Sequence, residues 1–404
     1  MAADPVAPPT TDEEWRRLRF EAPALFSAGP LDEERLFAGR TGQVTSLLET
    51  VLDRSKHAIL FGERGTGKTS LSNVFWRRYG TTLQSIVAAR VQADPSDTFS
   101  SLWIKGLEEL RAFAIQSGRS DLVPIETDFS EVTPDIIRRE LQKCRPNAIP
   151  ILIIDEFDKL QDTRARELTA NVIKSLHDYA VPATIILVGV AENVTQLIAD
   201  HESIRRALTP IKLERMMNFE LNEIIDTRLK LTPFSLDSAA REKIIRLSYG
   251  LPYYVHMLGK QAFKVAAQKK QLSISSETVN SAMDEFLEDT EQFYYDDYHN
   301  AVTSNQTDSQ FKEVLLACAM ANGNESGFFS ATSVIQPLSR ILGREVKHAN
   351  FQRHLTEFMS EARGPILIRR GSERQRRYRF TDPMMQPYIL MRGIREGLIP
   401  EEER

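Results

Sequence analysis

The chain has 404 residues, 42% hydrophobic and 26% charged, which suits two or three globular domains with their own cores and excludes a disordered or fibrous protein. Its 51 basic and 56 acidic residues leave a formal charge of −5, so any nucleic-acid footprint must be local. The two cysteines, Cys144 and Cys318, form no CxxC pair and suggest neither a zinc site nor a disulfide framework.

Residues 1–35 are rich in proline and acid around Pro5, Pro8 and Pro9, with an amphipathic patch near Trp15 and Phe20, and read as a flexible N-terminal segment. The start lacks the basic and apolar regions of a secretory signal, and no apolar run approaches the roughly 18 residues of a membrane helix, so a cytoplasmic protein without membrane contact is expected. Over residues 36–217, β-branched runs alternate with helix-like stretches, the pattern of an α/β fold with a parallel sheet and helices on both faces. Strands are expected at 57–62, 85–91, 149–155, 183–190 and a short last one near 211–213.

Residues 218–290 lose the strand signal. Their apolar positions recur at helical spacing, as in Ile244, Ile245, Leu247 and then Val255, Leu258, Phe263, which predicts an all-helical lid. The stretch Phe293-Tyr294-Tyr295-Asp296-Asp297-Tyr298 and the polar Thr303-Ser304-Asn305-Gln306-Thr307 mark residues 291–307 as a linker, with the aromatics packing at a domain seam. Residues 308–404 read as helices at 309–321, 331–342 and 350–360, then strands at 365–369 and 377–380. Three helices followed by a hairpin predict a winged helix-turn-helix.

Gly62-Glu63-Arg64-Gly65-Thr66-Gly67-Lys68-Thr69 fits the pattern GxxxxGK[ST], led by the apolar Ala58-Ile59-Leu60-Phe61 and followed by a helix-like segment opening on Ser70. Glycines in such a loop let successive N–H groups face phosphate oxygens, and the helix N-terminus adds attraction. Lys68 is placed to reach the β- and γ-phosphates of ATP, and Thr69 to hold Mg²⁺. Ile151-Leu152-Ile153-Ile154-Asp155-Glu156 adds a buried strand ending in two carboxylates: Asp155 to steady the metal and Glu156 as general base for the attacking water.

Together with Phe37-Ala38-Gly39-Arg40 and Ile154-Asp155-Glu156-Phe157-Asp158-Lys159-Leu160, these motifs resemble the AAA+ P-loop ATPases, most of all their replication-initiator branch, over roughly residues 36–290. The resemblance implies a Mg²⁺-dependent ATPase in which Arg40 and residues 62–70 hold the nucleotide. It implies that Asn193, in Leu187-Val188-Gly189-Val190-Ala191-Glu192-Asn193, senses the γ-phosphate, and that Arg205 or Arg206 completes a neighbouring subunit's site. Where the family's lid commonly carries a sensor arginine, this chain reads Gly250-Leu251-Pro252-Tyr253-Tyr254. That segment resembles the STAND signalling NTPases, in which the proline packs near the adenine, and it makes slow turnover an expectation.

Local positive charge gathers in the C-terminal hairpin at Arg363, Arg369, Arg370, Arg374, Arg376, Arg377 and Arg379, against Glu373 alone. The hairpin suits a phosphate backbone, and the helix carrying Gln352 and Arg353 suits a major groove, so double-stranded DNA is the expected partner, alongside self-association or a partner protein. The leading expectation is a DNA-associated AAA+ ATP switch. The alternative is a STAND-like signalling or defence NTPase whose C-terminal domain recruits protein.

Overall fold

The computed structural model describes residues 6–26, 29, 31, 33–53, 55–77, 86–191, 194–197, 204–304, 309–324, 326–372 and 375–399. The chain divides into two compact units: Gly29–Glu214, and Met1–Ala28 together with Arg215–Arg404. Helix α1 (Asp12–Ala24) belongs to the second. Among the described residues no helix is long and apolar enough to cross a membrane.

The first unit runs α2 (Thr41–Leu52), β1 (His57–Gly62), α3 (Lys68–Val74), β2 (Ile86–Gln92), α4 (Phe99–Gln116), α5 (Pro134–Gln142), β3 (Ile149–Asp155), α6 (Thr163–Asp178), β4 (Thr184–Val190), α7 (Val194–Leu197) and β5 (Leu208–Leu213). Its five strands lie in the order β2-β3-β4-β1-β5, all parallel. This is a P-loop NTPase sheet, with strands where the apolar runs place them. Side chains alternate between two cores: Ile59, Phe61, Leu152 and Ile154 pack with Trp103 and Ile173, while Ala58, Leu60, Ile151 and Ile153 pack with Leu47 and Leu71. Both faces are covered, which is why these strands are apolar throughout. Each buried Ile or Leu contributes about 1.5–3 kcal/mol.

The last strand begins three residues earlier than the sequence suggests. Pro210 discourages a strand assignment there, but β5 is an edge strand, where a missing N–H is tolerated.

The second unit continues with α8 (Asn218–Leu229), β6 (Ser235–Leu236), α9 (Ser238–Ser248), α10 (Pro252–Gln268), β7 (Ser273–Ile274) and α11 (Ser276–Val302). Helical periodicity is realised, with the short β6–β7 pair as an addition. Two expectations are corrected. The N-terminal segment contains α1, started by a capping box in which Thr11 and Glu14 satisfy each other's backbone N–H groups. It packs along α10, with the ring of buried Phe26 4.9 Å from that of Phe263. An added Cβ on Gly259 would fall 2.4 Å from the Phe26 ring, so this approach requires glycine. The expected linker at 291–307 is helix as far as Val302. Tyr294 and Tyr298 fall on one helical face against Tyr388, within one compact unit.

The C-terminal part comprises α12 (Phe311–Met320), β8 (Phe329–Ser330), α13 (Ala331–Leu342), α14 (His348–Glu357), β9 (Leu367–Arg370), β10 (Arg377–Phe380) and α15 (Met385–Arg395). Its strands form an antiparallel sheet in the order β8-β10-β9. The expected helices and hairpin are present, and β8 and α15 are additions to them. Pro383 and Pro387 flank the start of α15 and hide it from a periodicity argument.

Candidate functional site

The phosphate loop joins β1 to α3. Gly62 has φ +153°, and a Cβ there would meet the Leu213 carbonyl oxygen at 2.2 Å. Gly65 and Gly67 take φ +80° and +89°, a region disfavoured for other residues, and Gly67 caps α3. The Lys68 ammonium donates to the carbonyls of Gly62 at 3.1 Å and Glu63 at 2.6 Å, and the Thr66 hydroxyl donates to Glu63 at 2.9 Å. Burial pulls the Lys68 pKa down to about 8, with Asp158, Asp155 and Glu63 opposing the shift. Thr69 stands half-buried in the first turn of α3, and the Ser70 hydroxyl accepts the Leu31 N–H at 3.1 Å. Glu63 is half-buried and Arg64 exposed. Arg40 is buried behind the loop, where it donates to the carbonyls of Thr66 at 3.1 Å and Glu214 at 2.5 Å.

The order β3-β4-β1 sets the C-terminal ends of three parallel strands side by side, about 4.8 Å apart per strand. Ligands of such sheets bind at that edge. Asp155 ends β3 buried, with one carboxylate oxygen accepting from Arg90 at 3.0 Å and the other from the Glu156 N–H at 2.8 Å. Glu156 is left-handed at φ 55°, a conformation costing roughly 1 kcal/mol or more outside glycine. Its carboxylate accepts from Gln92 and, at 2.7 Å, from Lys159. Burial raises its pKa, but the bonds from Lys159 and Gln92 and the charges of Lys159 and Arg64 outweigh that, and the net shift is downward. Glu156 is therefore an ionised base at neutral pH.

Asp158 lies in the turn just beyond β3. Its carboxylate accepts the Val190 N–H at 2.8 Å, tying β3 to the end of β4, and its charge acts on Lys68. Arg166 secures the same turn by donating to Leu160 O at 2.7 Å and Asp158 O at 2.9 Å. The spacing Asp155-x-x-Asp158 offered a signal, since a second acid just beyond the strand end has no packing use there. Arg90 and Gln92 carried no comparable signal, because their meeting with the acids depends on the β2–β3 register, whereas Lys159 meets Glu156 within a single turn.

Asn193 lies outside the described residues. Arg205 and Arg206 are exposed in the turn before β5, whose base is held by Lys56 donating to Arg206 O and by the His57 N–H to Ala207 O. They stand at the N-terminal end of β1, a strand of six residues, and so about 20 Å from their own phosphate loop. Pro252 opens α10 in the other unit and is buried.

Thr69 and Asp155 supply hydroxyl and carboxylate oxygens of the kind Mg²⁺ takes alongside nucleotide phosphates. The donor set fits that ion.

In the C-terminal part, Gln352 and Arg353 are exposed on α14, with Arg353 paired to Glu357 at 2.6 Å. Arg369, Arg370 and Arg377 are exposed on the hairpin and Arg376 is half-buried; Arg374 lies outside the described residues. Arg370 faces Arg377 directly across the strands, a like-charge pairing unfavourable by itself. Arg363 does not belong to this surface. Its guanidinium lies 3.5 Å over the Phe311 ring, pairs with Glu357 and donates to Ala301 O and Thr303 O.

No curated protein sequence matches this chain. Similar solved structures include the Walker-type ATPase PABY2304 of Pyrococcus abyssi (14% identity, 91% of this chain and 99% of that one, TM-score 0.49). They also include the ORC1 protein of Aeropyrum pernix in complex with DNA (15%, 89% and 93%, 0.48) and CDC6p of Pyrobaculum aerophilum (14%, 93% and 98%, 0.47). A family model described as an AAA domain matches residues 52–198, the span that holds the phosphate loop and both strand-end acids.

Proposed function

We propose that the chain is a Mg²⁺-dependent, ATP-hydrolysing AAA+ switch of initiator type whose C-terminal winged helix binds duplex DNA. The observation that carries the ATPase reading is Lys68 held on two loop carbonyls after β1, at the edge of the sheet where Asp155 ends β3, with the charges of Asp155 and Asp158 acting on it and an ionised Glu156 alongside. The loop N–H groups and Lys68 bind the phosphates; Thr69 and Asp155 would hold Mg²⁺, which would supply neutralisation of phosphate charge. Glu156 leaves Gln92 and Lys159 to orient water and accept its proton. The position of Arg205 and Arg206, remote from their own loop, suits service in a neighbouring copy's site. Asn193 retains the sensor role, and Pro252 the place beside the adenine, that the family resemblance implies.

The AAA+ core is assigned to 36–217, the lid to 218–290 and the winged helix to 308–404. The DNA reading rests on the exposed Arg369, Arg370 and Arg377 beside α14. The test is Mg²⁺-dependent phosphate release with and without duplex DNA, alongside DNA binding measured across a salt series. No turnover in wild type sinks the hydrolytic reading, and salt-independent or absent binding sinks the DNA reading.

The second reading, a STAND-like switch that recruits protein, is favoured by the Gly250-Leu251-Pro252 entry to α10, whose first turn has no arginine. ADP- or ATP-dependent assembly with a protein partner and without DNA would select it.

A further inference from the structure

Arg40 is 3% exposed and left-handed at φ 60°. It bonds both the Thr66 carbonyl, inside the phosphate loop, and the Glu214 carbonyl, at the last residue of the first unit. The next residue, Arg215, opens the long segment of the second unit. Its guanidinium donates to the Gln386 side-chain oxygen at 2.9 Å and the Tyr249 carbonyl at 3.4 Å, and lies 5.2 Å from the Tyr249 ring centre. Gln386, 4% exposed on α15, passes its own amide N–H to the Ala319 carbonyl on α12 at 2.8 Å.

The Gly250 segment, set apart in the sequence by its lack of an arginine, holds the same connection. The Met216 N–H donates to Gly250 O at 2.8 Å, and a Cβ on Gly250, at φ +80°, would come within 2.8 Å of the Arg215 Cβ. A continuous series of bonds thus runs from the Thr66 carbonyl through Arg40, the 214–215 peptide, Arg215 and Gln386 to Ala319. Hydrogen bonds to guanidinium are among the stronger ones in proteins, and a buried amide left without partners is costly.

We propose that Arg40, Arg215 and Gln386 are positioning residues that couple occupancy of the phosphate loop to the packing of α12 and α15. The proposal rests on the nucleotide reading of that loop. Phosphate bound to the loop N–H groups reorients or fixes the Thr66 peptide, and Arg40 must follow its carbonyl or lose a buried bond. The 214–215 peptide, whose carbonyl Arg40 holds, carries that constraint to the backbone of Arg215, whose guanidinium is fastened to Gln386 and the Tyr249 carbonyl. Spatial continuity is not itself coupling, so the coupling has to be measured.

Hydrogen exchange on the full-length protein, with and without ADP and Mg²⁺, reads residues 62–70 and residues 384–388 in one experiment. In wild type both regions are expected to respond, with a change of about five-fold or more at 384–388. Gln386→Met, of similar volume but without the amide, is expected to keep the response at the loop and lose it at 384–388. Arg215→Met, which removes the guanidinium that Gln386 accepts from and lies outside the phosphate loop, is expected to do the same and covers the case in which the Gln386 variant misfolds. Wild-type protein that protects its loop with ADP yet shows no change at 384–388 overturns the coupling. So does either variant, if folded, with an undiminished response there. If ADP does not protect the wild-type loop, the nucleotide reading falls and the coupling with it.

Discussion

In the phosphate loop the key cation is enclosed: Lys68 is 8% exposed, held on two loop carbonyls, with its pKa pulled down by burial. In the C-terminal hairpin Arg369, Arg370 and Arg377 are exposed, with Arg370 directly opposite Arg377 and its guanidinium 5.4 Å from the Phe328 ring centre. Enclosure fixes geometry and makes the site depend on protonation and on individual atoms. Exposure leaves each cation weakly held, so that binding there is expected to be additive and screened by salt. The two regions suit phosphate by opposite physics.

The largest expected effect lies in the enclosed site. Glu156→Gln should lower ATP turnover by about 100-fold or more while leaving nucleotide affinity nearly unchanged, because it removes a proton acceptor and keeps the shape. Steady-state turnover beside equilibrium binding checks this, and equal turnover would remove Glu156 from the chemistry.

Next comes pH. Below about 8 Lys68 is charged and ready for phosphate; above it the free protein holds a neutral amine, and binding must take up a proton. Nucleotide affinity should therefore fall as pH rises through about 8, with a limiting slope of about ten-fold per unit that Lys68→Arg removes. Calorimetric titration between pH 7 and 9 measures it.

A smaller effect is expected at the exposed surface. Arg370→Ala with Arg377→Ala should weaken DNA binding by roughly ten-fold at moderate salt and reduce the salt slope by about two, uniformly across sequences. Fluorescence anisotropy over a salt series reads both quantities. Smallest for DNA binding is Arg363→Ala, which should cost about 2 kcal/mol of stability through the lost pairings with Phe311, Glu357 and the 301 and 303 carbonyls. Its salt slope should match wild type. A reduced slope would return Arg363 to the DNA surface and blur the contrast between buried and exposed arginines.

Why the two regions differed in legibility follows from the same physics. The loop and Asp155-Glu156 could be read because glycine spacing and a four-residue apolar strand are local constraints, enforced by positive φ and by burial on both faces. Among the hairpin arginines, sequence could count charges but not sort them. Arg363 turns inward because Phe311 and the Ala301 and Thr303 carbonyls, distant in sequence, meet it there beside the nearby Glu357. The capping box at Thr11 and Glu14 is a local helix signal, but the neighbouring prolines point to an irregular segment and outweigh it in a sequence pattern. The continuation of α11 through Tyr294 and Tyr298 needed Tyr388 on α15 to make sense of the aromatic spacing.

By itself the sequence determined the phosphate loop, the strand-end acids, the parallel sheet and the three helices with their hairpin. These depend on short-range periodicity and on residues whose backbone or charge admits few substitutes. Only the tertiary structure decided that Arg40 braces the loop from behind, that Asp158 joins two strand ends, that Glu156 rests on Gln92 and Lys159, and that Arg215 fastens Gln386. Each of those contacts joins groups on different elements or across a turn, and strand register and helix packing, set by the whole core, choose which side chains meet.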